Sequence, residues 1–311
     1  MSSASPVRTS RRPRFLEAAI ERLIAAGGYL SIALVVLIFA FVLKEALPLL
    51  RTYPLGRFLT ERGWQPTLAP PLGPWFGLLP NLWGSFIVTL GAAAVGVPLA
   101  VATAVFISEV APARIKTPLK GLVELLAAVP SVAIGFVGAV AVNPLVKQAF
   151  HLETGKSAMA GAIVLSFMAI PTIATIAEDA INAVPRALRD GSLALGATRW
   201  QGVTRIVLPA AAPGIVAAIM LGIGRVVGET MVVIMVTGNA GVMPEHGLWY
   251  AFTHSVRTIT GTVGAEALEV ANGEPHYHAL FMLGVVLFLI TFLLNLGAEA
   301  ALARVRRRLA S

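Results

Sequence analysis

Residues 24 to 47 read IAAGGYLSIALVVLIFAFVLKEAL, an almost unbroken apolar run. A helix needs about 20 such residues to cross the hydrocarbon core of a membrane. Hydrophobic residues make up 57% of the 311 residues, charged residues make up only 13%, and the mean hydropathy is +0.80. Because the apolar share is well above that of a soluble domain, the sequence predicts an integral membrane protein.

Six apolar windows, counting this one, reach the required length. Backbone amides in lipid have to be satisfied within the segment, so each window is expected to be a helix and the chain an all-α membrane domain. The predicted spans are 24–47, 84–108, 119–142, 158–180, 209–237 and 278–300. The other segments are a basic N-terminal tail (1–23), external loops (48–83 and 238–277), a polar loop (181–205) and a basic C-terminus (301–311).

The net charge of +8 is unevenly distributed along the chain. Lys and Arg concentrate in both termini, between the second and third spans, and in the loop 181–205. The positive-inside rule therefore predicts that these segments lie in the cytoplasm, with the protein in a bacterial inner membrane. The basic balance indicates topology and contact with anionic lipid, and does not indicate nucleic acid.

The external loops carry aromatic residues and histidines. The Pro- and Gly-rich segment 48–83 contains Trp64 and Trp75, which are expected at the level of the lipid headgroups. His276 and His278 could form a metal pair, but no third ligand has a suitable spacing, and the chain has no cysteine. We therefore expect no metal, no cofactor and, in the absence of a nucleophile and base pair, no enzymatic activity.

The loop between the fourth and fifth spans reads INAVPRALRDGSLALGATRWQGVTR, with apolar residues among basic ones. One interpretation is a surface helix that lies on the membrane. The spacing of its residues supports a sharper one. The relevant positions are Asp190-Gly191-Ser192, then Gly196, then Ile206 after nine further residues, then Leu208-Pro209.

This spacing resembles the EAA motif, E-A-A-x3-G-x9-I-x-L-P, of permease subunits in ABC importers, with Asp-Gly-Ser in place of Glu-Ala-Ala. The resemblance implies a type I importer permease fold with a permease core at 84–300. It also implies that the loop is a coupling helix seated in a groove of a cytoplasmic ATPase, and that Gly196 allows a sharp bend. The residues that it assigns to ATPase coupling are Asp190, Gly191, Ser192, Gly196 and Ala197.

Within the importer permeases, residues 75–300 resemble the PstC family, whose members serve high-affinity phosphate transporters. The most specific segments are VPSVAIGFVG (129–138), AIPTIATIAEDAINAVPRALRDGSLALGAT (169–198) and GRVVGETMVVIMVTGN (224–239). The resemblance implies a PstA-like sister permease, two PstB-like ATPase subunits and the phosphate-binding protein PstS as partners. A permease for sulfate or molybdate is an alternative, as is a stand-alone carrier, although no inverted repeat is found.

Residues 222–233, GIGRVVGETMVV, place Arg225 and Glu229 one helical turn apart in the predicted fifth span. Each charge would cost about 2.5–3.5 kcal/mol if it faced lipid, so both are expected to face protein or water. They form either a mutual ion pair or a substrate pathway. In a pathway, Arg225 would donate to phosphate oxygens and Glu229 would keep the attraction weak enough for release. The PstC resemblance implicates the matching positions in transport.

Other residues of the predicted spans have open alternatives. Gly224 and Gly228 form the G-x-x-x-G spacing that lets helix backbones approach closely. Glu124 could be a second pathway group, or could snorkel or cap a helix. Glu178 and Asp179 are expected in solvent or paired with the basic loop.

Overall fold

A computed structural model describes residues 14–69, 71–244 and 247–310. Its two short strands, β1 (Trp64–Gln65) and β2 (Trp75–Phe76), pair antiparallel. The helices are α1 (Arg14–Ala46), α2 (Leu49–Thr52), α3 (Leu55–Thr60), α4 (Leu78–Val105), α5 (Ala113–Ala127), α6 (Ser131–Val137), α7 (Asn143–Phe150), α8 (Ala158–Asn182), α9 (Arg186–Ala194), α10 (Arg199–Gly202), α11 (Leu208–Val227), α12 (Met231–Val236), α13 (Gly247–Thr253), α14 (Ile259–Glu266) and α15 (Pro275–Ala310). Wider π-helical turns occur at Phe106–Val110, Gly138–Val142 and Val203–Val207.

Six helical segments within the described ranges are long and apolar enough to cross a membrane. They are Ala18–Thr52, Leu78–Val110, Ser131–Phe150, Ala158–Asn182, Arg199–Val227 and Pro275–Arg304. The predicted all-α class and the number of spans are therefore confirmed.

The third span differs from the predicted range 119–142. Helix α5 ends at Ala127, and the apolar span begins only at Ser131, after Pro130 in an extended conformation. A proline disfavours helical geometry at the residue before it, which explains the break. The predicted range therefore joins the end of one helix to the start of another.

The fifth span is also interrupted. Helix α11 ends at Val227, and α12 does not begin until Met231. The predicted range 209–237 therefore contains two helices, and Glu229 lies in the break between them. Arg225 and Glu229 are not one turn apart on a continuous helix.

The core is centred on α8, which is the most enclosed of the six spans. Helix α4 packs on one side of it and α11 on another. Val88, Leu165, Ile173 and Val232 are among the buried apolar residues of this core. Helix α1 instead packs along α15 and leaves most of its apolar side chains exposed, as expected of a helix that faces lipid.

The segment after the first span folds into a second apolar cluster, with Leu49, Phe58, Trp64 and Phe76 packed against Leu283 of α15. Trp64 is only 1% exposed. Trp64 therefore packs inside the protein, and its position at the depth of the lipid headgroups stays a prediction. A tryptophan can be buried when its indole N–H finds a partner, and this one donates to Glu266 Oε2 at 2.9 Å.

Candidate functional site

Arg225 lies in the last turn of α11, and its side chain is exposed. Its Nη1 donates to the hydroxyl of Thr172 on α8 at 3.1 Å. Glycine makes this approach possible, because a methyl group at Gly222 would lie only 2.2 Å from Ile173 Cγ1. The close contact between α8 and α11 therefore sets the arginine beside the threonine.

Glu229 serves a different element. Its Oε1 accepts hydrogen bonds from the backbone amides of Met231 at 3.1 Å and Val232 at 3.4 Å, the first amides of α12. Its carbonyl oxygen accepts a hydrogen bond from Thr260 Oγ1 at 2.8 Å. The first amides of a helix lack partners within it, so the carboxylate satisfies two of them. Within the described residues, no ion pair joins Glu229 to Arg225.

A narrow cavity beside Glu229 is rich in hydroxyl groups. The polar residues that line it together with Glu229 are Ser85, Thr89, Thr258 and Thr260. Several of these hydroxyls already have partners: Ser85 Oγ accepts from the amide of Ile259 at 2.9 Å, and Thr258 caps α14. The neutral hydroxyls surround the break between α11 and α12 with polar groups inside a membrane-spanning bundle.

Gly224 and Gly228 have no neighbouring helix against them in the described chain. A methyl group at Gly224 would meet nothing within 4 Å, and one at Gly228 would meet only carbonyl oxygens of its own helix. Close approach within the chain occurs instead at Gly222, and at Gly214 against Ala180. Close helix packing at the G-x-x-x-G spacing stays a prediction.

The loop 181–205 consists of two short helices around a glycine. Helix α9 ends before Gly196, which has a φ of +84°. Nothing crowds this glycine, so the left-handed backbone, rather than lack of space, favours glycine there. Thr198 then caps α10, and its own amide donates to the Gln201 side chain, the reciprocal arrangement of a capping box. The predicted sharp bend is present at Gly196.

The residues predicted to couple to an ATPase do not all face outward. Asp190 and Gly191 are exposed, Ala197 is half-buried and Ser192 is buried. Ser192 Oγ donates to the carbonyl of Arg189 at 2.7 Å. A methyl group at Gly202 would lie only 2.9 Å from Ser192 Oγ. Ser192 therefore lies between α9 and α10, where its small side chain allows the two helices to pack closely.

Apolar side chains are exposed on the same loop. Leu195 is 91% exposed and Trp200 is 60% exposed, and Leu188 and Leu193 are also exposed. Exposed apolar side chains on a polar loop suit a surface that another protein or the membrane covers.

An ion pair that the sequence reasoning missed anchors α9. Arg189 Nη1 lies 2.7 Å from Glu109 Oε1, in the π-helical turn that ends the second span. Its Nη2 donates to the carbonyl of Ile181 in the last turn of α8 at 2.7 Å. In the sequence, Glu109 is simply a carboxylate at the end of an apolar run. Because such residues are common at membrane interfaces, the sequence did not indicate this ion pair.

Glu178 and Asp179 pair with α5, so the predicted pairing with the basic loop is wrong, whereas the predicted solvent exposure holds for Asp179 and not for Glu178. Lys120 Nζ lies 2.8 Å from Asp179 Oδ1 and 2.6 Å from Glu178 Oε2. The hydrogen bond to Asp179, and after it the hydrogen bond to Glu178, raises the pKa of Lys120 above its usual range. Glu178 is only 2% exposed and also accepts from Asn182. A carboxylate this deeply buried needs such partners.

A second polar cluster lies on the opposite side of the bundle, around Glu266. Trp64, Arg257 and His276 all contact this carboxylate, and His276 Nε2 lies 2.8 Å from Oε2. Burial raises the pKa of Glu266, but the hydrogen bonds from His276 and Trp64 and the charge of Arg257 outweigh it. The pKa of Glu266 is therefore below its ordinary value.

The two histidines considered as a metal pair have separate partners. His276 contacts Glu266, whereas His278 Nδ1 lies 2.6 Å from the carbonyl of Glu45. No group of three or more His, Asp or Glu side chains suited to a metal ion is found among the residues that the structure describes. Glu124, the other residue with open alternatives, is exposed on α5.

Residues 96–311 match the protein family described as the binding-protein-dependent transport system inner membrane component. The chain belongs to this family. A probable ABC transporter permease protein of Bacillus subtilis, YqgH, is 37% identical over 94% of this chain and 93% of its own length. The phosphate transport system permease protein PstC of Mesorhizobium japonicum is 32% identical over 81% of this chain and 79% of its own.

Solved structures agree with this family assignment at the level of the fold. A chain of a bacterial alginate ABC transporter aligns with a TM-score of 0.61 at 15% identity, covering 94% of this chain and 97% of its own. A chain of the inward-facing MetNI methionine ABC transporter aligns with a TM-score of 0.60 at 18% identity, covering 76% and 99%. The predicted type I ABC importer permease fold is confirmed, and the chain is a multi-pass membrane subunit of a transport system.

Proposed function

We propose that this chain is a PstC-type permease subunit of an ATP-driven importer of inorganic phosphate. It forms half of the transmembrane pathway beside a PstA-like sister permease. Two PstB-like subunits hydrolyse ATP in the cytoplasm, and the binding protein PstS delivers phosphate from outside. Relatives that carry the name of phosphate transport permeases at about a third identity support this assignment.

The environment of Arg225 is the observation that supports an anionic substrate. Its guanidinium is exposed at the end of a membrane-spanning helix and is held through Nη1 by the neutral hydroxyl of Thr172, with no carboxylate paired to it among the described residues. A permanently charged planar group with free donors suits the oxygens of phosphate. Arg225 therefore offers a passing anion a temporary site.

Glu229 weakens that site without neutralising it. Its negative charge lies in the break after α11, four residues from Arg225 along the chain, and its Oε1 is occupied by the amides of α12. A transport site has to release its substrate as well as bind it, and a nearby carboxylate opposes tight anion binding. Arg225 and Glu229 together define the proposed substrate pathway.

The loop 181–205, called the coupling loop from here on, is the proposed contact with the ATPase. Its exposed Leu195 and Trp200 provide the apolar surface, and Asp190, Gly191 and Ala197 lie beside them. A Leu195→Asp substitution is expected to leave the subunit folded and to abolish co-purification of the ATPase, because a charge would enter an apolar contact. Leu268→Asp, at a leucine that is 96% exposed on the opposite side, is the matched control. Retained co-purification with Leu195→Asp would contradict docking at this loop.

The central experiment uses the four-component complex in proteoliposomes. We expect Arg225→Gln to assemble normally and to lose phosphate uptake, whereas Arg225→Lys keeps part of it because lysine lacks the bidentate fork. Arg51→Gln, at an exposed arginine of α2, is the control and should transport normally. Wild-type uptake by Arg225→Gln would exclude the pathway role.

Competition distinguishes the alternative substrates. Excess sulfate or molybdate should leave phosphate uptake unchanged. Uptake of sulfate or molybdate in place of phosphate would instead support the alternative that the chain is a permease for that anion. Transport by this subunit in the absence of ATPase would instead support a stand-alone carrier.

A further inference from the structure

Helix α9 packs against the start of the fifth span, at α10 and the π-helical turn that follows it. Ser192 is its only residue that is fully buried, and Ser192 packs against Gly202 of α10, at the start of the fifth span. Leu188 and Leu193 of α9 are about half exposed, at 45% and 49%. The contacts that join α9 to the ends of the second and fourth spans are, by contrast, polar.

Arg189 provides those contacts to two spans at once. One guanidinium nitrogen lies 2.7 Å from Glu109 at the end of the second span, and another donates to Ile181 at the end of the fourth, also at 2.7 Å. The ion pair is sheltered, with side-chain exposures of 26% for Arg189 and 11% for Glu109. Sheltered charge pairs are screened much less by salt than exposed pairs.

A continuous set of polar contacts extends from this pair to α5. Asn182, next to Ile181, accepts from Ser108 and Lys116 and donates to the buried Glu178, which Lys120 also contacts. Helix α5 leads directly to the third span. The polar set therefore joins α9 to the ends of the second, third and fourth spans without passing through α11.

We propose that the Arg189–Glu109 pair is a second mechanical link between the coupling loop and the membrane spans, in parallel with the covalent connection from α10 into α11. Movement of α9 when the ATPase closes is then carried to the second and fourth spans through Arg189. Glu109 is a positioning residue that acts through Arg189. This inference rests on the proposed ATP-driven function.

The first measurement is the coupling ratio, phosphate transported per ATP hydrolysed, in the complete reconstituted complex. Glu109→Gln removes the charge and keeps the shape, so the ATPase should still assemble and hydrolyse ATP. We expect the coupling ratio to fall by about fivefold or more, the scale of a typical coupling energy between sites. Glu299→Gln, at an exposed carboxylate on α15, is the matched control.

The second measurement does not depend on the substrate. Because the chain has no cysteine, spin labels can be placed through Leu99→Cys on α4 and Ala187→Cys on α9. ATP binding should leave the distance between these labels unchanged in the wild-type background, since the two helices move together. The same distance should change in the Glu109→Gln background.

The outcomes separate the two proposals. If phosphate does not change the ATPase rate of the wild-type complex, phosphate is not the substrate. The distance between the spin labels would still show whether the Arg189–Glu109 link exists. A Glu109→Gln complex with the wild-type coupling ratio and label distances would overturn the link. Should Glu109→Gln fail to assemble, the same measurements on Arg189→Met, which removes the charge and both contacts, decide it. Wild-type behaviour in Arg189→Met would overturn it as well.

Discussion

At the scale of single residues, the central feature is an arginine that one neutral hydroxyl orients. Thr172 follows Pro171 in α8 and is half-buried, so its position is fixed by the packed helix. Its hydroxyl takes one guanidinium donor of Arg225 and adds no charge. A carboxylate at this position would neutralise the arginine, whereas a hydroxyl leaves its charge available to an anion.

We expect Thr172→Val to reduce phosphate uptake at low substrate concentration by roughly fivefold, since a hydrogen bond to a charged group contributes about 1 kcal/mol or more. The substitution keeps the shape of the side chain and removes only the hydroxyl. The measurement is the KM for uptake in proteoliposomes, with assembly checked by co-purification.

Thr172→Ser, which keeps the hydroxyl, is the control and should retain uptake. A normal KM in Thr172→Val would show that Arg225 is oriented by something else.

At the scale of helices, glycines set the distance between α8 and α11. Ala180 faces Gly214 and Ile173 faces Gly222, and a methyl group at either glycine would lie within 2.4 Å of its neighbour. By contrast, Gly224 has open space around it within the chain. Glycines of one helix thus have different structural roles.

Gly222→Ala is expected to destabilise the isolated subunit by about 1–3 kcal/mol, because overpacking forces the helices apart. Gly224→Ala should leave the isolated subunit unchanged or slightly more stable. Thermal unfolding in detergent measures both. Equal stability of the two variants would contradict the α8–α11 contact, and loss of sister-subunit assembly in Gly224→Ala alone would place that glycine in the interface between subunits.

The Glu266 cluster links α14 and α15 to the strand β1. The pKa of Glu266 is lowered in the folded protein, so its stabilising contribution is fully present above the unfolded value of about 4.3 and is lost as the pH falls through the folded value. At pH 6 we expect Glu266→Gln to lower stability by about 1–3 kcal/mol, through its lost charged hydrogen bonds.

This difference from the wild type should shrink as the pH falls below the unfolded pKa of the carboxyl group, as followed by the thermal midpoint of each protein. Glu269→Gln, at an exposed carboxylate nearby, is the control. A difference that stays constant with pH would contradict an ionised Glu266 as the source of the stability.

At the scale of the whole molecule, the two polar clusters lie toward opposite ends of the spans. The Arg189–Glu109 pair is near the coupling loop. The Glu266 cluster is centred on the segment between the fifth and sixth spans. The uneven distribution of Lys and Arg predicts that the coupling loop is cytoplasmic. Sidedness follows from charge because a membrane has two chemically different faces.

Single cysteines in this cysteine-free chain test the orientation. Leu268→Cys should react with a membrane-impermeant maleimide in intact spheroplasts. Leu195→Cys, in the subunit expressed without its ATPase, should react only in inverted vesicles. Both leucines are more than 90% exposed, so a reversed pattern would mean a reversed topology.

The sequence by itself determined the class, the number of spans and the position of the polar loop 181–205. Each of these depends on local composition: an apolar run of about 20 residues crosses the membrane whatever its neighbours are. The bend at Gly196 belongs with them, because a positive φ is a local preference of glycine.

Only the tertiary structure decided which residues meet. Arg225 finds Thr172, 53 positions away, because Gly222 admits Ile173, and Arg189 finds Glu109 across two helix ends. Glu229 turns to α12 because α11 ends before it, and Trp64 is buried because Glu266 receives its indole N–H. These contacts join residues far apart in the chain, and hydropathy and spacing along the sequence contain no measure of that distance.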